Sequence, residues 1–245
     1  MKKTFFLLLI ILLSPFLQMY GQNVDSLKVQ HKLTYKSFIA PVALLTAGGI
    51  LLNSEINGDI QTKSGRVFGT TFKSGADNIF PFVPIAQIYL GKSLGFEPKT
   101  DYKNQTVNIL VANTATVIVT EIAKRIAKRT RPDLSDNMSF PSGHSAVAFT
   151  NATLLYYEYK DSNFWYASSG FLFAGATAAF RLANNKHYAS DVLAGAGIGM
   201  ASGIIFSYVS PLKSFRVSKK TNTTAFVYPQ IGNQIGLGAI INPNF

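Results

Sequence analysis

Apolar runs separated by short polar segments dominate the sequence. The clearest cover residues 38–52, 107–123, 146–157, 164–182 and 189–209, and a shorter run at 79–90 is broken by Pro81 and Pro84. Runs of this length favour helices over strands, so six helices are predicted. Several fall short of the roughly 20 uninterrupted apolar residues of a membrane span. Asn108, Asn113 and Glu121 interrupt one of them. Gly195, Gly199 and Gly203 recur at every fourth position, giving a face on which another helix can lie closely. Gly170, Ala174 and Ala178 do the same one segment earlier. The expected architecture is all-α, a membrane-associated bundle of about five or six core helices. Residues 224–241 alternate apolar and polar around Gly232-Asn233 and predict a short C-terminal β-hairpin.

The N-terminus reads as a targeting segment. Lys2 and Lys3 precede an apolar run at 5–13, then Ser14-Pro15, and polar sequence opens at Gln22. That is the layout of a secretory signal over residues 1–21. Bulky Met19 two residues before a cut at Gly21 leaves an uncleaved anchor as the alternative. A polar spacer (22–36), a helical domain (37–212) and a basic tail with the hairpin (213–245) follow. Cleavage places the new N-terminus outside. Runs 38–52 and 107–123 then cross in opposite directions, and 79–90, with its two prolines, stays at the interface. Three later crossings leave Lys213, Arg216, Lys219 and Lys220 inside.

At 245 residues the chain holds one full-sized domain. Hydrophobic residues make up 47% against 14% charged, and mean hydropathy is +0.18, which excludes disorder. Lys and Arg number 23 against 12 acids, for a net charge of +11. This suits nucleic acid, an anionic membrane surface or a phosphorylated substrate. Much of the charge flanks apolar helices rather than covering a soluble surface with interleaved aromatics, which argues against nucleic acid. The absence of cysteine removes disulfides, zinc ribbons, Fe–S clusters and thiol nucleophiles.

Candidate chemistry gathers in three places. Lys124-Arg125-Ile126-Ala127-Lys128-Arg129-Thr130-Arg131-Pro132 ends an apolar helix. Lys124 and Arg131 are about two turns apart and share a face if the helix runs that far. Such cations also suit the macrodipole or set orientation, but like charges at Lys124/Lys128 and Arg125/Arg129 cost stability unless an anion neutralises them. In Phe140-Pro141-Ser142-Gly143-His144-Ser145, Ser142 is a candidate N-cap. The free N–H groups behind it, with Gly143 allowing close approach, suit a phosphate beside His144; an ordinary helix start is the other reading. In Arg181-Leu182-Ala183-Asn184-Asn185-Lys186-His187-Tyr188-Ala189-Ser190-Asp191, His187 and Asp191 are one turn apart. The carboxylate can fix the imidazole tautomer, or the pair can simply satisfy itself.

Together the three places match the pattern K-x6-R-P, P-S-G-H and S-R-x5-H-x3-D. The chain thus resembles the type 2 phosphatidic acid phosphatase family, related to the vanadium haloperoxidases and bacterial acid phosphatases. The resemblance implies that His187 attacks phosphorus and forms a phosphohistidine, with Asp191 orienting it. His144 protonates the leaving oxygen and later activates water. Lys124, Arg131, Arg181, Ser142 and the Gly143 amide hold the phosphate oxygens. No metal or cofactor is implied. Phe180 stands where the family has Ser, removing one phosphate contact. The expected substrate is a phosphorylated lipid: lipid A, undecaprenyl pyrophosphate, phosphatidate or phosphatidylglycerol phosphate. Asn184-Asn185 and the exported layout resemble Gram-negative envelope phosphatases and favour lipid A. The implied location is a bacterial inner membrane with the site facing the periplasm. A soluble periplasmic acid phosphatase and a non-catalytic anionic-lipid binder are the alternatives, separated by carbonate extraction and by His187→Ala respectively.

Overall fold

A computed structural model describes residues 33–69 and 71–209, with the backbone of 223–231 and 235–243. The signal segment and residues 213–222 of the basic tail lie outside the described residues. The chain divides into two units, Met1–Ser210 and Pro211–Phe245.

The first unit is helical. A turn of 3-10 helix at Tyr35–Phe38 leads into α1 (Ile39–Leu51), and α2 (Glu55–Phe68) follows after a bend of 94°. Turns at Ala76–Asn78 and Phe80–Phe82 precede α3 (Val83–Leu90). The long helices are α4 (Tyr102–Ala127), α5 (Gly143–Tyr159), α6 (Phe164–Ala183) and α7 (Ala189–Tyr208). Side chains cap several starts: Asp101 accepts the Asn104 N–H at 2.8 Å, and Asn163 accepts that of Tyr166 at 2.9 Å.

Among the described residues every apolar run forms a helix, and the 79–90 run opens as 3-10 because Pro81 and Pro84 lack the N–H that an α-helix uses. The additional helix, α2, has no long apolar run. Its start is marked by Ser54, whose Oγ accepts the Ile56 N–H at 3.3 Å, and its end by Gly69 at φ +88°. Asn57 of α2 exchanges two hydrogen bonds with Ser190, to Oγ at 3.0 Å and from N–H at 3.1 Å, tying α2 to the head of α7.

The small residues of α7 let it pack against two neighbours. A Cβ at Gly195 would lie 2.4 Å from the Ser142 carbonyl oxygen, and one at Gly199 2.1 Å from that of Ala146, both on α5 or its cap. A Cβ at Gly197 would meet Leu45 of α1 at 2.7 Å. Polar residues that break the α4 run face α5: Asn113 donates to Asn151 at 2.7 Å, and Thr116 and Thr150 share a hydrogen bond of 2.9 Å. Among the described residues, α4 and α7 are long and apolar enough to cross a membrane. A third span results if the bent pair Tyr35–Leu51 and Glu55–Phe68 is one crossing.

In the second unit, β1 (Thr223–Ile231) and β2 (Ile235–Pro243) pair antiparallel, with Thr223 opposite Pro243 and Ile231 opposite Ile235. The intervening residues, Gly232-Asn233 among them, lie outside the described residues.

Candidate active site

The C-terminal ends of α4 and α6 and the N-terminal ends of α5 and α7 carry the candidate residues to one end of the helical unit. Helix α4 stops at Ala127, where Lys128 turns left-handed at φ 47°. Lys124 and Arg131 are therefore not two turns of one helix, as the spacing suggested, and Lys124/Lys128 is no helical pair. A loop instead returns Arg131 and Arg129 towards α7. The Lys124 Nζ stands against Gly143, 3.5 Å from where a Cβ would lie. The Ser142 N–H donates to the Asp191 carbonyl at 2.9 Å, joining the α5 and α7 heads. Ser142 is the N-cap of α5: its buried Oγ accepts from the Ser145 N–H at 3.4 Å and from the Ser145 hydroxyl at 3.0 Å.

His187 is 1% exposed. Its Nδ1 lies 2.8 Å from the Ser139 carbonyl and 3.6 Å from Asp191 Oδ2. The carbonyl can only accept, so Nδ1 carries the proton and Nε2 keeps its lone pair. Arg131 Nη1 approaches that Nε2 at 3.3 Å. The hydrogen bond expected between His187 and Asp191 is thus taken by Ser139, because the Asp191 carboxylate is occupied elsewhere. Oδ2 accepts from the Ser139 hydroxyl at 2.5 Å and from the Tyr188 N–H at 2.9 Å, capping α7. Oδ1 accepts from the Ser190 hydroxyl at 3.1 Å and from Arg129 Nη1 at 3.3 Å. Asp191 acts on the imidazole through its charge and through Ser139. Burial, with the charges of Arg181 and Arg131, holds the His187 pKa below its ordinary value against the opposing carboxylate.

Each cation of the set has a carboxylate partner. Lys124 pairs with Glu121 at 3.1 Å, the Arg131 Nε with Asp136 at 2.7 Å, and the Arg181 Nη1 with buried Asp77 at 2.8 Å. His144 sits in the first turn of α5 with Nε2 3.0 Å from Asn78 Oδ1. Burial, then the charge of Arg181, pushes its pKa down to about 4. Phe180 stacks on Phe72 with centroids 5.9 Å apart and packs on Phe80 at 5.7 Å, so its ring joins an aromatic cluster beside Arg181.

Three contributors lie outside the motif segments, Ser139, Asp77 and Asn78, and two lie within them with no role assigned by the motifs, Arg129 and Tyr188. Arg129 lies over the Tyr188 ring, 4.3 Å from the centroid, while reaching Ser190 and Asp191. Ser139 precedes the Pro141-Ser142-Gly143-His144 motif by two residues, and that adjacency was its only signal.

A family model of the PAP2 superfamily matches residues 105–215, the stretch that holds all eight of these motif residues. Over this segment the chain is similar to the PAP2 superfamily. A Lipid A 1-phosphatase of Porphyromonas gingivalis is 32% identical over 143 residues, covering 58% of this chain and 32% of that protein. A PA-phosphatase related-family protein of Dictyostelium discoideum is 26% identical over 148 residues, covering 50% and 55% respectively. The chain therefore spans about a third of the length of the first of these relatives and about half of the second. The crystal structure of Aquifex aeolicus LpxE overlaps 58% of this chain and 90% of its own, at 22% identity and a TM-score of 0.44.

Proposed function

We propose that the chain is a phosphatase that removes phosphate from a membrane lipid through a phosphohistidine at His187. One observation carries this reading: His187 has its Nδ1 proton fixed on the Ser139 carbonyl while its lone-pair Nε2 faces the Arg131 guanidinium. A histidine so held is a nucleophile aimed at an anion site.

The Arg131 guanidinium lies 3.3 Å from Nε2, and an entering phosphate draws it onto a non-bridging oxygen. Lys124, Arg181 and the Gly143 N–H supply the other donors, where charge develops in the transition state. The Nε2 lone pair then forms the P–N bond as the P–O bond to the lipid breaks. The leaving alkoxide takes a proton from His144. The low pKa of His144 rises once phosphate is bound, because the adjacent negative charge favours the imidazolium. His144, now neutral, takes a proton from water, which attacks phosphorus and releases inorganic phosphate and free His187. No step is routed through a metal. Ser142 supports the site as the α5 cap, its hydroxyl already engaged by Ser145.

A lipid substrate is supported by the apolar exposure of α4, whose Leu110, Ile118, Ile122 and Ile126 all face outward on the helix that delivers Lys124. The Lipid A 1-phosphatase relative and Asn184-Asn185 favour lipid A. We place the site at the periplasmic face of a bacterial inner membrane. The reading is tested by phosphate release from lipid A, undecaprenyl pyrophosphate, phosphatidate and phosphatidylglycerol phosphate, each against His187→Ala. Release from at least one lipid, abolished in the variant, is expected. Release that survives His187→Ala, or none from any lipid, overturns it.

A further inference from the structure

The turn Ala76–Asn78 lies before the segment matched by the family model, yet it touches two side chains of the site. Asp77 is 1% exposed, and its Oδ2 accepts from Arg181 Nη1 at 2.8 Å and from Asn184 Nδ2 at 3.0 Å. Asn78, next in the chain, places Oδ1 3.0 Å from His144 Nε2. The turn is fixed to the end of α6. Asn184 accepts the Ser74 N–H and donates to the Ser74 carbonyl, both at 2.9 Å, and Phe80 packs on Phe180.

Two consequences follow for the phosphate site. A guanidinium presents its donors in a rigid fork, so gripping Nη1 fixes the direction of the other N–H groups. The Arg181 Nε is buried and has no hydrogen-bond partner among the described residues, a donor that an arriving anion would satisfy. In the same way, an amide oxygen can only accept, so Asn78 keeps the proton on His144 Nε2 and leaves Nδ1 for exchange with the substrate. The Asp77 carboxylate also competes with phosphate for the Arg181 charge, which weakens retention of the product.

We propose that the Ala76–Asn78 turn is a fourth part of the phosphate site, in which Asp77 positions Arg181 and offsets its charge while Asn78 sets the His144 tautomer. Both are positioning residues, and the inference rests on the phosphatase reading above. The test uses the full chain in detergent, with an aryl phosphate as reporter substrate and inorganic phosphate as competitive inhibitor. Asp77→Asn keeps the volume and an accepting oxygen but removes the charge. Its phosphate inhibition constant should fall roughly tenfold while kcat also falls, a split that loss of packing alone would not give. In an Arg181→Ala background Asp77→Asn should change neither value further. Asn78→Ala should slow an alkyl phosphate more than the aryl phosphate. An unchanged phosphate inhibition constant in Asp77→Asn, the same effect with Arg181 absent, or equal losses on both substrates in Asn78→Ala overturns the proposal. If the wild-type chain neither hydrolyses the reporter nor binds phosphate, the phosphatase reading fails as well; an active wild type with indifferent variants sinks this inference alone.

Discussion

The two histidines are anchored through opposite nitrogens, His187 by Nδ1 on a backbone carbonyl and His144 by Nε2 on an amide. Each anchor is neutral, so it chooses a tautomer without pinning a charge on the ring. If His144 gives its proton to the leaving oxygen, His144→Ala should damage hydrolysis of alkyl phosphates by about 100-fold or more, and of an aryl phosphate with a good leaving group far less. Parallel rate measurements on the two substrates check this, and equal losses would leave His144 only a binding role. The nucleophile has its own pH signature. Nε2 attacks only when unprotonated, so kcat/KM should fall as pH drops through the His187 pKa. Burial and the nearby arginines lower that pKa, placing the acid limb below the ordinary value of about 6.5. Arg131→Ala removes a cation and should move the limb upward in a pH–rate profile. A limb at or above the ordinary value that ignores Arg131 would contradict the assignment.

At the scale of elements, the site depends on how closely α7 lies against α5, since the Ser142 N–H to Asp191 carbonyl bond joins their heads. Gly199 sets that distance, because a methyl group there would lie 2.1 Å from backbone that cannot rotate away. Gly199→Ala should cost about 1–3 kcal/mol and lower activity in proportion to the disturbed α5–α7 contact, measured by thermal unfolding of the purified protein. Unaltered melting would mean that the contact is loose. This seam was legible in the sequence, as were the helices with long apolar runs, because both are periodic and local. Helix α2 was not, since its polar residues form no such run and Asn57 finds Ser190 only in the fold, 133 positions away. Lys124, Ser142, His144, Arg181 and His187 were readable from short motifs. Asp77 and Ser139 reach their partners across 104 and 52 positions, so no spacing announces them. The left-handed Lys128 likewise ends α4 earlier than its composition suggests.

Across the whole molecule, the candidate residues gather at the ends of helices whose outer faces are apolar. Cations at the C-terminal end of α4 follow a helix long enough to cross a membrane. With the site outside, as we propose, label applied from the periplasm should reach Ser135 and should not reach Ser93 or Asn222, the last of which lies outside the described residues. The chain has no cysteine, so Ser135→Cys, Ser93→Cys and Asn222→Cys can each be probed alone with an impermeant maleimide on spheroplasts. Only Ser135→Cys should react before permeabilisation, and reaction at all three would indicate a soluble or peripheral protein.

A covalent intermediate at His187 can be trapped by rapid quenching of the enzyme with phosphate-labelled lipid. A phosphoenzyme that is stable in alkali and labile in acid, mapped to His187 and absent from His187→Ala, is the predicted result. Phosphate release within a single turnover with no label on the protein, or with label on another residue, would rule out His187 as the nucleophile.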